Sequence, residues 1–228
     1  AWHYEIGMLA AIGILYGAMV ALVQKDFKFV IGYSSVSHMG FVLLGLVSLN
    51  EIGLSGAVLQ MFSHGIIAGL LFAVVGRMVY DRTHTRELSV LEGMDLGKAI
   101  PFASVTFVIA SVASMGLPGF SGFVAELQVL IGAWHAFPSF AIIAGLGIVV
   151  GAAYMLRALQ KSFFSEPQAR VEKHAHPLEP ITMPERIGAV ILMATTLLIG
   201  LYPRLLLDLI VPSFHSPLFD GLRKGGGL

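Results

Sequence analysis

Long apolar runs recur along the chain, and they set its elements before any single residue is weighed. A helix needs about 20 apolar residues to cross a hydrocarbon core of about 30 Å. Runs of that kind cover residues 6–23, 29–49, 52–76, 137–156 and 187–207, and polar groups such as Gln24-Lys25-Asp26 and Asn50-Glu51 punctuate them. The stretch 100–134 is too long for one straight span and too short for two, since one helix of that length would measure about 52 Å. Its middle reads Met115-Gly116-Leu117-Pro118-Gly119-Phe120-Ser121-Gly122. Glycines at 116, 119 and 122, with Pro118 among them, predict a helix break near 116–122.

Charge decides whether that stretch crosses once or twice. With a single broken crossing, eleven of the 14 basic residues fall on one side of the membrane. These are Lys25, Lys28, Arg77, Arg82, Arg86, Lys98, Arg157, Lys161, Arg170, Lys173 and Arg186, against Arg204, Arg223 and Lys224 on the other side. Two crossings would give nine against five. Basic residues gather on the cytoplasmic side, so the more lopsided split is preferred. The sequence therefore predicts an all-α membrane protein of about six spans, the fourth broken, in a transmembrane domain over 1–211 with a tail over 212–228. The long charged loops are expected in the cytoplasm and both termini on the far (periplasmic) side.

Composition agrees with lipid as the main surrounding. Hydrophobic residues make up 56% of the 228 and charged residues 12%, where a soluble domain has roughly 25% charged. Mean hydropathy is +0.82. Net charge is zero, so nothing points to nucleic acid as a partner. The absence of cysteine excludes disulfides, thiolate metal sites and cysteine-held iron–sulfur clusters in this chain. With no dinucleotide-binding glycine motif and no metal-ligand cluster, no cofactor or metal is expected here. Two loops are long, 77–98 and 160–186, and their mixed charges are expected to form a solvated face or to dock neighbouring subunits. The chain opens Ala1-Trp2-His3-Tyr4-Glu5, with no initiator Met or basic leader, and is expected to lack its own beginning.

Few ionisable groups remain at membrane depth: Glu126, His38 and His64. A carboxylate in hydrocarbon costs several kcal/mol, so such groups usually face protein or water and mark ion paths. Each also has a structural explanation. Glu126 can be a neutral acid bonded to a carbonyl, and a lone intramembrane His often only ties helices together. Their neighbours favour transport. Ser34 and Ser37 accompany His38; Gln60 and Ser63 accompany His64; Ser34/His38 and Gln60/His64 are each four apart, on one helical face. Side chains that exchange protons near neutrality, with hydroxyls and water between them, make a proton path. Broken helices at membrane depth often lie at transporter ion sites, and Glu126 follows the break by about two turns.

Several segments resemble a known family. They are Gln24-Lys25-Asp26-Phe27-Lys28 with Ile31-Gly32-Tyr33-Ser34-Ser35-Val36-Ser37-His38-Met39-Gly40-Phe41, then Gly56 to Gly65, Tyr80 to Arg86, and Leu117-Pro118-Gly119-Phe120-Ser121-Gly122-Phe123-Val124-Ala125-Glu126. They are similar to the antiporter-like subunits of proton-pumping NADH:quinone oxidoreductase (respiratory complex I), and the acid at 126 resembles the M-type subunit, because the L- and N-type carry Lys there. The likeness covers nearly the whole chain and is weakest after Phe164. It implies a proton-translocating membrane subunit of that enzyme, with NAD, FMN, iron–sulfur clusters and quinone in partner subunits and antiporter-like subunits as neighbours. It implies that Glu126 is the terminal proton carrier of the broken helix, that His38 and His64 lie on a central polar axis, and that Lys28 belongs to a matched motif at a span end. Family members fold as inverted five-helix repeats with flanking helices; this chain matches the C-terminal part, without the half that carries the family's Glu–Lys pair and central Lys. A Mrp-type cation/proton antiporter, a membrane-bound hydrogenase and a passive membrane scaffold stay open as alternatives. The membrane is expected to be energy-transducing, a bacterial inner membrane.

Overall fold

The structure, a computed structural model, describes residues 2–165, 178–219 and 221. The first two spans are α1 (His3–Val23) and α2 (Phe27–Val47). Between them Asp26 caps α2, its carboxylate accepting from Lys28 N at 2.8 Å and Phe29 N at 3.3 Å. Asn50 does the same for α3 (Glu51–Phe72), accepting from Gly53 N at 2.9 Å. The helix expected to stop at 76 runs further. It passes into a π-helical segment, Ala73–Tyr80, and then α4 (Asp81–Thr83), and ends where His84 turns left-handed at φ 55°. Gly76 alone cannot stop it, and an Arg77–Asp81 pair at 2.6 Å supports the last turn.

The loop that follows is folded back onto the chain through its leucines, while its charged side chains stay exposed or half-buried. Its short helices α5 (Leu88–Leu91) and α6 (Leu96–Ala99) bury Leu88, Leu91 and Leu96 in the core around Phe27, Phe107 and Phe163. Phe27 N donates to Arg86 O at 2.8 Å and Leu88 N to Lys25 O at 2.9 Å, so the loop pairs with the α1–α2 turn. Within the second long loop, residues 166–177 lie outside the described residues, as do residue 220 and 222–228 of the tail.

The stretch 100–134 is a broken helix. Its halves are α7 (Pro101–Ser114) and α8 (Ser121–Ala136). Between them Gly116 and Gly119 take φ of +69° and +103°, values that favour glycine. Gly122 lies inside α8 rather than in the break; a Cβ there would come 2.6 Å from Ala113 O, so it lets the two halves touch. Next come α9 (Pro138–Phe163), α10 (Met183–Leu201) and α11 (Arg204–Ser213). A single helix over 187–207 is not what forms. Pro203 has no N–H and restricts the residue before it, so α10 ends at Leu201 and α11 starts anew.

Among the described residues, five helices, 3–23, 27–47, 51–83, 138–163 and 183–201, are long and apolar enough to cross a membrane. With the broken α7–α8 they give the all-helical membrane architecture read from the sequence. Two large apolar cores hold it together, with a small cluster of Leu59, Ala125 and Ile199 beside them. One gathers Phe27, Ile31, Ile67, Phe107 and Met155 toward the charged loops. The other gathers Ala10, Ile14, Phe41, Leu44, Val129 and Phe140 toward the opposite ends. A polar layer separates them.

Candidate functional site

The polar layer forms where α2, α3, α8, α9 and the break meet. On α2 two serines flank His38, and both spend their hydroxyls on backbone. Ser34 Oγ donates to Ile31 O at 2.9 Å and Ser37 Oγ to Ile14 O at 2.8 Å. The second of these bonds ties α2 to α1 where Gly17 brings the backbones together; a Cβ on Gly17 would meet Ser37 N at 2.7 Å. That fixed joint orients His38, which is 7% exposed.

Glu126 sits in the second turn of α8 and is 5% exposed. Side chains on a helix lean toward its N-terminus, so the carboxyl reaches back to the break. Gly116 makes room for it: a Cβ at 116 would lie 2.6 Å from Glu126 Oε2. From there Oε1 is 3.5 Å from His38 Nε2. The His64 ring lies 5.2 Å from that of His38, centroid to centroid and tilted by 55°. The Gln60 side chain lies beside the Glu126 carboxyl, and the Ser114 backbone lies beside His38.

Two small cavities adjoin this group, each about 10 Å³, enough to seat about one water molecule. One is lined by Ser37, His38, Glu126, Gly151 and Tyr154, and the other by His38, Gln60, His64, Gly122 and Glu126. Among the described residues, His38 Nδ1, Gln60 Oε1, Ser63 Oγ, Ser111 Oγ and Ser114 Oγ are buried without a protein partner. A buried polar atom left so costs about 1–3 kcal/mol. Donors and acceptors that are not locked to protein are what water-assisted proton exchange between His38, His64 and Glu126 requires.

The residues singled out in the sequence thus separate. His38, His64, Glu126 and Gln60 come together, with Ser34 and Ser37 on the α2 wall and Ser63 buried on α3 outside the two cavities. Gly116 shapes the carboxyl's seat, while Pro118 and Gly119 shape the turn. Lys28 does not join them; it is exposed in the first turn of α2, about 15 Å of helix from His38. Three contributors were not read from the sequence. Tyr154 is fully buried against the first cavity and lies beside Ser34; it is the one polar residue in the run Gly147–Leu156, which could have marked it. Ser111 and Ser114 precede the break at a spacing of three, a weaker sign. No group of three or more His, Asp or Glu among the described residues is placed to hold a metal ion.

Residues 1–151 match the family model described as NADH:quinone oxidoreductase/Mrp antiporter, TM. The chain is 41% identical over 206 residues to NADH-quinone oxidoreductase subunit M of Rhodobacter capsulatus, covering 90% of this chain and 39% of that protein. It is 40% identical over 216 residues to subunit M of Rickettsia prowazekii, covering 95% and 42%. It therefore spans about two fifths of the length of these relatives. Among solved structures, respiratory complex I from Thermus thermophilus with bound NADH superposes with a TM-score of 0.84 at 33% identity, covering 98% of this chain and 44% of that one. The Mrp complex from Dietzia sp. DQ12-45-1b gives 0.83 at 23% identity, covering 97% and 48%, a likeness of fold.

Proposed function

Because this chain belongs to the NADH:quinone oxidoreductase/Mrp antiporter transmembrane family, we propose that it forms part of the M-type membrane subunit of a proton-translocating NADH:quinone oxidoreductase. In this reading it carries part of a proton path and no redox centre. NAD, FMN, iron–sulfur clusters and quinone belong to partner subunits, and other antiporter-like subunits pack beside it in the lipid of a bacterial inner membrane. The charged loops face the cytoplasm and the chain's ends the periplasm, as the split of basic residues favours.

The observation that carries the reading is the Glu126 carboxyl, enclosed at the helix break 3.5 Å from His38. Glu126 takes up and releases a proton, His38 and His64 pass it along the layer, and Gln60, Ser63 and Tyr154 supply hydrogen-bonding stations. Electron transfer elsewhere changes the charge on neighbouring subunits and so alters the proton affinity of Glu126. At 41% identity, the named subunit M relative favours this assembly over a Mrp antiporter, for which the support is the shared family and a likeness of fold.

The test is proton pumping by membrane vesicles carrying Glu126→Gln in the full-length protein, with NADH oxidation and subunit assembly measured in the same preparation. Loss of pumping with assembly intact is expected. Normal pumping at a normal rate sinks the role of Glu126 and leaves the segment as a scaffold. Cation-dependent proton exchange without NADH chemistry in the purified assembly indicates the Mrp reading instead.

A further inference from the structure

α10 turns most of its surface outward, and the few positions it buries include Ala189, Thr196 and Ile199. Thr196 is the polar one among them, with no measurable exposure. Its hydroxyl pairs with that of Ser121 at 2.9 Å, across 75 residues of chain. Ser121 is the first residue of α8 and is likewise wholly buried. No side chain caps that helix start, because the residue in the capping position is Phe120. One turn beyond Thr196, Gly200 rests on the break itself. A Cβ at Gly200 would come 2.5 Å from Phe120 Cα and would collide with Gly119 O. Thr196 and Gly200 are four apart and share a face, so α10 grips the break and the start of α8 at two adjacent points.

Glu126 lies five positions after Ser121 in α8, about 7.5 Å along the helix. A tilt or slide of the α8 start is therefore carried to the carboxyl. At 3.5 Å from His38, the carboxyl has little distance to lose before direct contact is gone. We propose that Thr196 is a positioning residue: through Ser121 it fixes the start of α8 and thereby holds the Glu126 carboxyl opposite His38. This rests on the reading of Glu126 as a proton carrier. It gives α10, which contributes no titratable group to the polar layer, a part in the proton step.

The experiment uses the full-length protein in its assembled complex, with Thr196→Val, Thr196→Ser, Ser121→Ala and, as reference, Glu126→Gln. Protons pumped per NADH oxidised, and the pH profile of NADH oxidation, are measured per assembled complex. Thr196→Val and Ser121→Ala are expected to lower pumping by about 3- to 10-fold, the bias one neutral hydrogen bond supplies, and to displace the pH profile. Thr196→Ser, which keeps the hydroxyl, restores both. The proposal is overturned if Thr196→Val pumps normally per complex with an unmoved pH profile while Glu126→Gln fails. It is also overturned if Thr196→Ser behaves like Thr196→Val, or if the variants change only the amount of complex, since the contact is then a packing one. Normal pumping by Glu126→Gln removes the parent reading, whatever Thr196 does.

Discussion

Among the described residues, two acid–base pairs are largely enclosed by protein, and they are built in opposite ways. Arg82 and Glu185 meet at 2.9 Å, with their side chains 5% and 10% exposed. The guanidinium also donates to Glu179 O at 2.8 Å, Pro180 O at 3.0 Å and Arg77 O at 2.6 Å. Glu185 accepts from Thr182 N at 2.8 Å and Thr182 Oγ1 at 2.9 Å, completing the capping box of α10. The pair has nothing left to exchange; it bolts the far end of the α3 helix to the start of α10. His38 and Glu126 meet at 3.5 Å, His38 Nδ1 has no protein partner, and the unpartnered Ser114 lines both cavities beside them. Burial of charge marks both places, but spare hydrogen-bonding capacity marks only the second. A saturated pair locks structure, and an under-bonded one beside small cavities can move a proton.

The largest effect expected from breaking this comparison comes from the lock. Arg82→Met leaves the half-buried Glu185 without its cation and three carbonyls without that donor, a loss of about 1–3 kcal/mol. The amount of assembled complex should fall steeply, and activity per remaining complex should hold. Equal assembly in variant and parent would show the pair to be dispensable.

Gly116→Ala comes next. It imposes a left-handed φ on a residue with a side chain, about 1–2 kcal/mol, and drives a methyl into the seat of the Glu126 carboxyl. Pumping should fall roughly tenfold or more, in line with a disturbed proton-transfer group. Gly119→Ala has open space for its Cβ, so it should cost stability with pumping per complex retained. If the two alanines act alike, strain in the turn matters and the carboxyl's seat does not. Smaller again is His64→Gln, expected to slow pumping by about two- to fivefold against roughly tenfold for His38→Gln, because His38 is the histidine beside the carboxyl. Reversal of that order would move the exchange away from Glu126. Lys28→Ala, exposed at the start of α2, should change pumping by less than about twofold.

The comparison also shows what a sequence can and cannot reveal. Hydrophobic runs disclosed the spans because lipid demands them, and the Gly/Pro cluster at 116–122 disclosed the break because no helix tolerates it. Glu126, His38 and His64 stood out because polar groups are rare at such depth. Arg82 did not stand out. It reads as one more loop cation, and it becomes buried only because α3 continues past Gly76 as a π-helical segment, which no local residue announces. Ser111 and Ser114 were missed because serine hydroxyls are common in spans and can bond to their own helix, and Tyr154 because no polar neighbour in sequence accompanies it. Their value depends on α7 and α9 facing α2, a tertiary fact. The folding back of 88–99 was hidden for the same reason, since four-residue apolar turns carry no periodicity to read.

The most direct test of the central claim, that the Glu126 carboxyl exchanges its proton beside His38, is redox-induced infrared difference spectroscopy on the assembled complex containing the full-length protein. On addition of NADH, a protonated-carboxyl stretch is expected to change, to be absent from Glu126→Gln, and to shift in His38→Gln. Carboxyl bands identical in the parent and in Glu126→Gln would contradict the account.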